Sequence, residues 1–387
     1  MMEGSKMSIW ETKSIGDLCS RFSSGKNITA DRISEQGKYP VYGGNGLRGY
    51  TNNYNFDGKC VLIGRQGAYC GNVRYFEGKA FMSEHAIVAV ANSENCTRYL
   101  AYKFDTMKLG RFSGQAAQPG LSVGKLAKLS IQVPSLPKQE KISSILSTYD
   151  NLIEANKRKI DLLEQVAQEL YKEWFVRFRF PGYENAKFEN GLPKGWERNK
   201  IQKYYNTCSG GTPSRSKPEY FENGIYPWVK TGEIKDCVII DTEEYITQEA
   251  VNSSSAKVLP AKSVAMAMYG VNIGLLAYFD GEMTCNQACC VFSDKRDFSS
   301  KHYLYYYLKS IREYLLLISF GAAQQNLSQD LIKKIKITMP SDDVVQAFEK
   351  QIDDIYDSIR MLLLKNKNLA TQRDMLLPRL MSGKLEV

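Results

Sequence analysis

The chain has 387 residues, 43% hydrophobic and 24% charged, with 51 Lys+Arg against 42 Asp+Glu for a formal net charge of +9. That length exceeds one ordinary domain and predicts two or three compact units. The apolar content excludes wholesale disorder. The positive balance favours a polyanionic partner, because basic surface releases condensed counterions when it neutralises phosphates, although it also serves plain solubility.

Nine cysteines form no C-x-x-C pair. The cluster Cys285, Cys289, Cys290 lacks a nearby His and zinc-finger spacing, so no metal site is expected. Reduced, mostly buried thiols in a cytoplasmic protein are expected instead. Met1 to Trp10 has no apolar h-region, which argues against a signal peptide. The longest apolar run, Tyr314 to Phe320, is too short to cross a bilayer.

In chain order, residues 1–138 read as a first globular domain. Gly43-Gly44-Asn45-Gly46 predicts a mobile loop. Cys60–Ile63 and Ala86–Val90, between Gly/Asn turns, predict strands, and Arg98–Leu109 a helix. Residues 139–178 follow as a long helix. In it Ile142, Leu146, Tyr149, Ile153, Asn156, Ile160, Leu163, Ala167, Leu170 and Trp174 alternate steps of four and three, which is a heptad seam. About 37 such residues make a rod of roughly 55 Å. Pro137 precedes this helix and Pro181-Gly182 follows it, opening a linker over 179–195.

A second globular domain is expected over 196–340, with strands at Ser263–Met266 and Ala288–Phe292 and a helix at Lys301–Leu317. Residues 341–380 form a second long helix with its own seam: Phe348, Ile352, Ile355, Ile359, Leu362, Asn366, Leu369, Arg373 and Leu376. Pro378 is expected to end or kink it, leaving a tail over 381–387. Each seam carries one asparagine, Asn156 and Asn366, and an Asn in a seam fixes register.

The chain repeats itself. Trp10, Glu11, Ile15, Ser23 and Gly25 return as Trp196, Glu197, Ile201, Ser209 and Gly211, an offset of 186. Gly67, Gly71, Tyr75, Phe76 and Gly78 return as Gly270, Gly274, Tyr278, Phe279 and Gly281, an offset of 203. Ala116-Ala117-Gln118-x-x-Leu121-Ser122 returns as Ala322-Ala323-Gln324-x-x-Leu327-Ser328, an offset of 206. Three blocks in one order, with slowly growing offsets, mark a tandem duplication. The second copy carries an insertion around Pro227 to Pro260. The predicted fold is therefore α+β: two tandem α/β domains alternating with two long helices that pair as an antiparallel coiled coil, with a pseudo-twofold internal repeat.

Catalytic signatures are sparse. His85 and His302 are the two histidines, which leaves few candidates for His-based acid–base work or metal ligation. Gly25-Lys26 lacks the upstream glycine of a phosphate-binding loop. No F-x-G-x-G and no Asn/Asp-Pro-Pro-aromatic tetrapeptide occurs. No catalytic or metal-binding residue is nominated.

This pattern resembles the specificity (S) subunit of type I restriction–modification systems. The resemblance rests on Leu192-Pro-Lys-Gly-Trp196, on the loop Ser209-Gly210-Gly211-Thr212-Pro213-Ser214, and on the Ala-Ala-Gln-x-x-Leu-Ser block before each long helix. It rests also on the ending Arg373-Asp-Met-Leu-Leu-Pro-Arg-Leu-Met-Ser-Gly383. The first copy departs from it, entering with Ser8-Ile9-Trp10 and looping through Ser23-Ser24-Gly25-Lys26. The resemblance implies a non-catalytic, sequence-specific DNA-binding subunit that reads a bipartite site with a fixed spacer. It implies two methyltransferase subunits docked on the helices, which carry S-adenosylmethionine, and two nuclease/translocase subunits. This chain itself would hold no cofactor and touch no membrane.

Bases are read in the major groove chiefly by Arg, Asn and Gln. The DNA-contact candidates are Asn45, Arg48, Arg65, Gln66, Arg74 and Gln118 in the first copy. In the second they are Lys217, Lys230, Tyr269, Asn272, Gln287, Gln324 and Asn326. Between the copies the turn glycines persist while Arg65-Gln66 becomes Met268-Tyr269, as expected of two readers of different half-sites; drift on an exposed hairpin is the alternative. Trp174, Phe175 and Phe178, interleaved with Arg177 and Arg179, are candidates for a partner interface; packing onto the neighbouring domain is the alternative. Two other functions stay open at this point. One is a self-sufficient DNA-modifying enzyme, which would methylate DNA unaided; the other is a coiled-coil scaffold without a DNA role, whose binding would be indifferent to salt.

Overall fold

A computed structural model describes residues 10–114, 120–319 and 326–387. The chain divides into two compact units, Met1–Ile153 with Asn368–Val387, and Glu154–Lys367. Each unit therefore joins one globular domain to a part of each long helix, a division by contact that crosses the chain segments read from the sequence.

The first unit is built on a six-stranded sheet in the order Cys19–Ser24, Ala86–Ala91, Phe56–Gly64, Val73–Met82, Tyr39–Gly43, Gly46–Thr51. Pairing is antiparallel except where Tyr39–Gly43 runs parallel to the end of Val73–Met82. The segment Gly43–Gly46, expected to be a mobile loop, is a tight hairpin turn: Gly43 pairs with Gly46. The apolar strands are buried on both sides. Val61, Ile63, Ile87 and Ala89 face the helix Thr97–Thr106, which buries Tyr99, Leu100 and Phe104. Cys60, Leu62 and Val88 join Phe56 and Met82 on the other face.

In the second unit Tyr205–Ser209, Cys289–Asp294, Val264–Ala267, Leu276–Phe279 and Cys237–Ile239 form a five-stranded sheet in that order. The expected single helix from Lys301 is two, Lys301–Ser310 and Arg312–Ser319. The insertion folds on itself. Tyr226–Val229 pairs with Tyr245–Ile246, and Tyr220, Trp228, Ile246, Ala250 and Ala256 make a small core of their own.

The first long helix runs Leu136–Tyr171 and continues through a π turn at Lys172–Val176; the second runs Asp342–Met381. None of the nineteen predicted seam residues is exposed. Two prolines lie within the helices they were expected to bound or bend. Pro137 lies inside the first turn, where its missing N–H has no partner to lose. Pro378 lies inside the second helix and does not end it. Within the second unit the helices pair antiparallel. Asn156 Nδ2 donates to Asn366 Oδ1 at 2.8 Å, and eighteen residues onward on one helix and back on the other, the Trp174 and Phe348 rings meet at 5.7 Å. In the first unit Arg373 and Asp150, from the two helices, form an ion pair at 2.7 Å.

Here also the aromatic cluster finds its place. Trp174 and Phe175 are buried and Phe178 half-buried. Phe175 packs on Tyr303 at 4.7 Å, Phe348 at 4.8 Å and Trp196 at 5.9 Å, and Phe178 on Trp196 at 5.6 Å. Trp174 and Phe175 belong to the core of their own unit, as in the alternative of packing onto the neighbouring domain, and Phe178 is half-buried against that core. Trp196, from the Leu-Pro-Lys-Gly-Trp segment, is the ring they close on.

Candidate nucleic-acid interface

The sequence repeat is matched bond for bond at one loop cluster in each unit. In the first, Arg65 N donates to the His85 carbonyl at 2.9 Å, Leu121 N to that of Arg65 at 2.8 Å, and Gly71 N to that of Gly64 at 2.8 Å. In the second, Met268 N donates to Ala288 at 2.8 Å, Leu327 N to Met268 at 2.8 Å, and Gly274 N to Ala267 at 2.9 Å. Isolated bridges join Gln66 to Gly120 and Tyr269 to Asn326 in the same way. The turn needs glycine at Gly67 and Gly270, where φ is +80° and +82°. A second glycine requirement lies alongside. A Cβ on Gly210 would stand 1.9 Å from the Cys285 carbonyl oxygen, and one on Gly25 2.2 Å from that of Met82. Main-chain bonds thus fix each tip and leave its side chains free to differ.

In the first unit the candidates converge. The Gly44-Asn45 turn lies against the Arg65–Gln66 and His85 backbone, since a Cβ on Gly44 would be 2.9 Å from the His85 carbonyl and 3.4 Å from that of Gln66. The Arg74 guanidinium covers Gly46 and the Arg48 side chain covers Gly43. Asn45, Arg48, Gln66 and Arg74 are exposed and Arg65 half-buried. His85 joins them: its Nδ1 lies 3.0 Å from Gln66 Oε1 and its Nε2 3.1 Å from Glu84 Oε1. A single histidine beside a glutamate at a strand start carried too little signal for nomination. Gln118 lies outside the described residues.

The second unit's candidates are more tied down. Tyr269, Gln287 and Asn326 are exposed, and Gln287 accepts a hydrogen bond from the Thr212 hydroxyl of the Ser-Gly-Gly-Thr-Pro-Ser loop. Two others are corrected by their partners. Lys230 is clamped by Glu243 at 2.8 Å and Glu244 at 3.0 Å, and these hydrogen bonds raise its pKa. Its charge is spent within the domain. The Asn272 amide donates to the Thr231 and Ile234 carbonyls at 3.0 Å each, so it braces a loop. Lys217 is exposed but stands apart, with Nζ on the Tyr220 hydroxyl at 3.0 Å. Gln324 lies outside the described residues. Val271 is fully exposed at the tip between Gly270 and Asn272.

The remaining chemistry is structural. His302 is buried, stacked on Tyr278 at 5.0 Å, with Nε2 3.0 Å from Asp353 Oδ1, and burial holds its pKa down to about 4. Glu349 accepts from the Tyr303 and His302 amides at 2.8 and 3.3 Å, and burial pushes its carboxyl up to about 8. The nine cysteines are free, four buried and five half-buried. Among the described residues no group of His, Cys, Asp and Glu is placed to hold a metal, and no helix is long and apolar enough to cross a membrane.

The fold thus defines a class: a duplicated chain in which each of two sheet domains carries a matched but differently dressed loop tip and each is followed in sequence by a long helix. A model described as the type I restriction modification DNA specificity domain matches residues 7–165 and 193–370, and the chain belongs to that family. It is 38% identical over 144 residues to the EcoprrI specificity subunit of Escherichia coli, a type I restriction enzyme subunit, over 36% of each chain. It is 27% identical over 302 residues to the type I MjaIX specificity subunit of Methanocaldococcus jannaschii, covering 75% of this chain and 69% of that one. The chain therefore spans about a third of the first relative and about two thirds of the second. A crystal structure of a type I restriction-modification S subunit from M. genitalium shares the fold, with a TM-score of 0.64 at 16% identity over 98% of both chains.

Proposed function

We propose that this chain chooses the DNA sequence on which a type I restriction–modification complex acts, and that it performs no chemistry itself. Each globular domain reads one half of a bipartite site through its loop cluster. The helices fix the spacer and dock two methyltransferase subunits, which bring S-adenosylmethionine; two nuclease/translocase subunits complete the complex in the cytoplasm. One observation carries the reading. The two tips share their main-chain hydrogen bonds and glycines, yet one carries Arg65 and the exposed Gln66 where the other has a buried Met268 and the exposed Tyr269. A scaffold that is kept while its tip changes suits two readers of different base sequences. The test maps methylated adenine genome-wide in a methylation-free host. A two-part motif with a fixed gap, present when this chain and its cognate methyltransferase are both expressed, supports the reading. A motif made by this chain alone would reveal an active site in it, and no motif from a soluble, co-purifying pair would end the proposal.

A further inference from the structure

The second unit has a basic cleft whose lysines the first unit does not keep at the matching positions. It is lined by Lys200, Lys203, Lys295 and Lys333 together with Asn, Gln, Thr and Tyr side chains, and no described carboxylate lines it. Lys200, Lys203 and Lys295 are exposed and Lys333 half-buried. Lys203 pairs with Glu197 at 2.5 Å and Lys333 with the exposed Asp330 at 3.8 Å, surface pairs that compete weakly with a polyanion.

The repeat supplies an internal control. Lys295 N donates to the Tyr204 carbonyl at 2.9 Å, and at the matching place Asn92 N donates to that of Leu18 at 3.1 Å. The strand pair Glu197–Lys200 with Lys336–Met339 matches Glu11–Ser14 with Ser130–Val133. With the backbone thus aligned, the four lysines fall on Ser14, Asp17, Asn92 and Ala127. The first unit keeps two cations at the other lining positions, Lys13 and Arg21, and Lys13 is already paired with Glu11 and Glu94. Four positive charges with no negative one face two positive charges with one negative.

The cleft is joined to the reading loops. Strand Tyr205–Ser209 starts in it and leads to Gly210–Thr212, and Gln329 links Thr207 and Ser209 to the helix Gln329–Lys334. Five to six extended residues span roughly 17–20 Å, about five or six base-pair steps of duplex at 3.4 Å each. Lysine meets phosphate as a point charge, and neutral polar side chains beside it suit backbone contact better than base readout.

We propose that this cleft binds the phosphate backbone of double-stranded DNA about half a turn from the bases read by the second unit, so that the two half-sites are held unequally. The inference rests on the DNA-reading role proposed above. The experiment compares the full chain, with its cognate methyltransferase, against K200Q/K203Q/K295Q/K333Q on a duplex carrying the mapped site. The Lys→Arg set at the same positions is the control. Loss of the lysines should lower the slope of log affinity against log salt by about 2–4. It should weaken binding about 10- to 100-fold at low salt and shorten protection by about five base pairs on the flank of one half-site. The half-site letters stay the same and the arginine set restores both readouts. Unchanged slope and protection with specificity intact would overturn the cleft proposal and leave the reading role standing. Unchanged slope with loss of methyltransferase co-purification would assign the cleft to an acidic protein surface instead. If the parent chain shows no sequence preference, the reading role fails and the cleft proposal falls with it.

Discussion

Asn156 and Asn366 should be energetically coupled, and the coupling can be sized from the structure. Asn156 is 9% exposed and donates to Asn366 at 2.8 Å across the helix pair, while Asn366 is half-buried. Replacing either one by alanine strands the other amide in the seam. A buried polar group left unpaired costs about 1–3 kcal/mol. Asn366→Ala should be the costlier change, because it strands the more buried partner. The double variant strands neither, so its cost should fall short of the sum by about 1–2 kcal/mol. Urea unfolding followed by tryptophan fluorescence suits the test, since Trp174, Trp196 and Trp228 all lie in the unit that holds the pair and Trp10 alone does not. Additivity within about 0.5 kcal/mol would mean that water satisfies both amides and that the pair does not set register. A double leucine variant should raise the midpoint while loosening the register, the exchange usually seen when a seam asparagine is lost.

Two further outcomes concern the second unit. Phe175→Ala removes a ring packed on Tyr303, Phe348 and Trp196 and should destabilise the isolated chain by about 3–5 kcal/mol. A loss below 1 kcal/mol together with lost partner binding would instead return Phe175 to an interface. Glu349 gives a pH signature. Its folded pKa of about 8 lies above its unfolded value, so the folded chain holds a proton that the unfolded chain releases. Stability from this group is complete below about 4.5 and is lost as pH rises toward 8. His302, held near 4, acts oppositely below about 6.5, so the Glu349 slope stands clear from there to 8. At about 1.36 kcal/mol per unit the parent should lose roughly 2 kcal/mol over that span, and Glu349→Gln should flatten the curve. Parallel curves would remove the buried charge from the account.

The architecture was legible because it rests on spacing. Offsets of 186, 203 and 206 exposed the duplication, and the steps of four and three exposed both helices. What sequence could not supply was the partner each side chain meets. Trp174 and Phe175 with flanking arginines have the composition of an interface, and the chain reversal at Pro181-Gly182 that returns Trp196 to cover them has no periodicity to read. Lys230 looked like a DNA contact because its clamp, Glu243 and Glu244, comes from the insertion that the first copy lacks. Asn272 looked like a base reader, yet its amide serves two carbonyls of that same region. Candidates on the first copy's hairpin remained exposed because no inserted segment folds over them.

That contrast gives the sharpest consequence of the duplication. The bonds that shape each tip run through main-chain atoms: Arg65 N to His85, Leu121 N to Arg65, and their counterparts at Met268. In the first copy, where Arg65 is half-buried and Gln66 exposed, side-chain identity should therefore matter little to folding, whereas Met268 of the second copy is part of its core. In the first copy, Arg65→Met with Gln66→Tyr, the residues of the second, forfeits one exposed hydrogen bond to His85, a loss of about 1 kcal/mol or less. Recognition should respond far more strongly, because a bidentate arginine contact contributes about 1–3 kcal/mol of discrimination at its base. Methylation mapping of this variant should show one half-site relaxed or altered, the other half-site intact, and the gap between them unchanged. Alteration of both half-sites would show that the two domains do not read independently. An unfolded chain would show that the tip is held by its side chains after all.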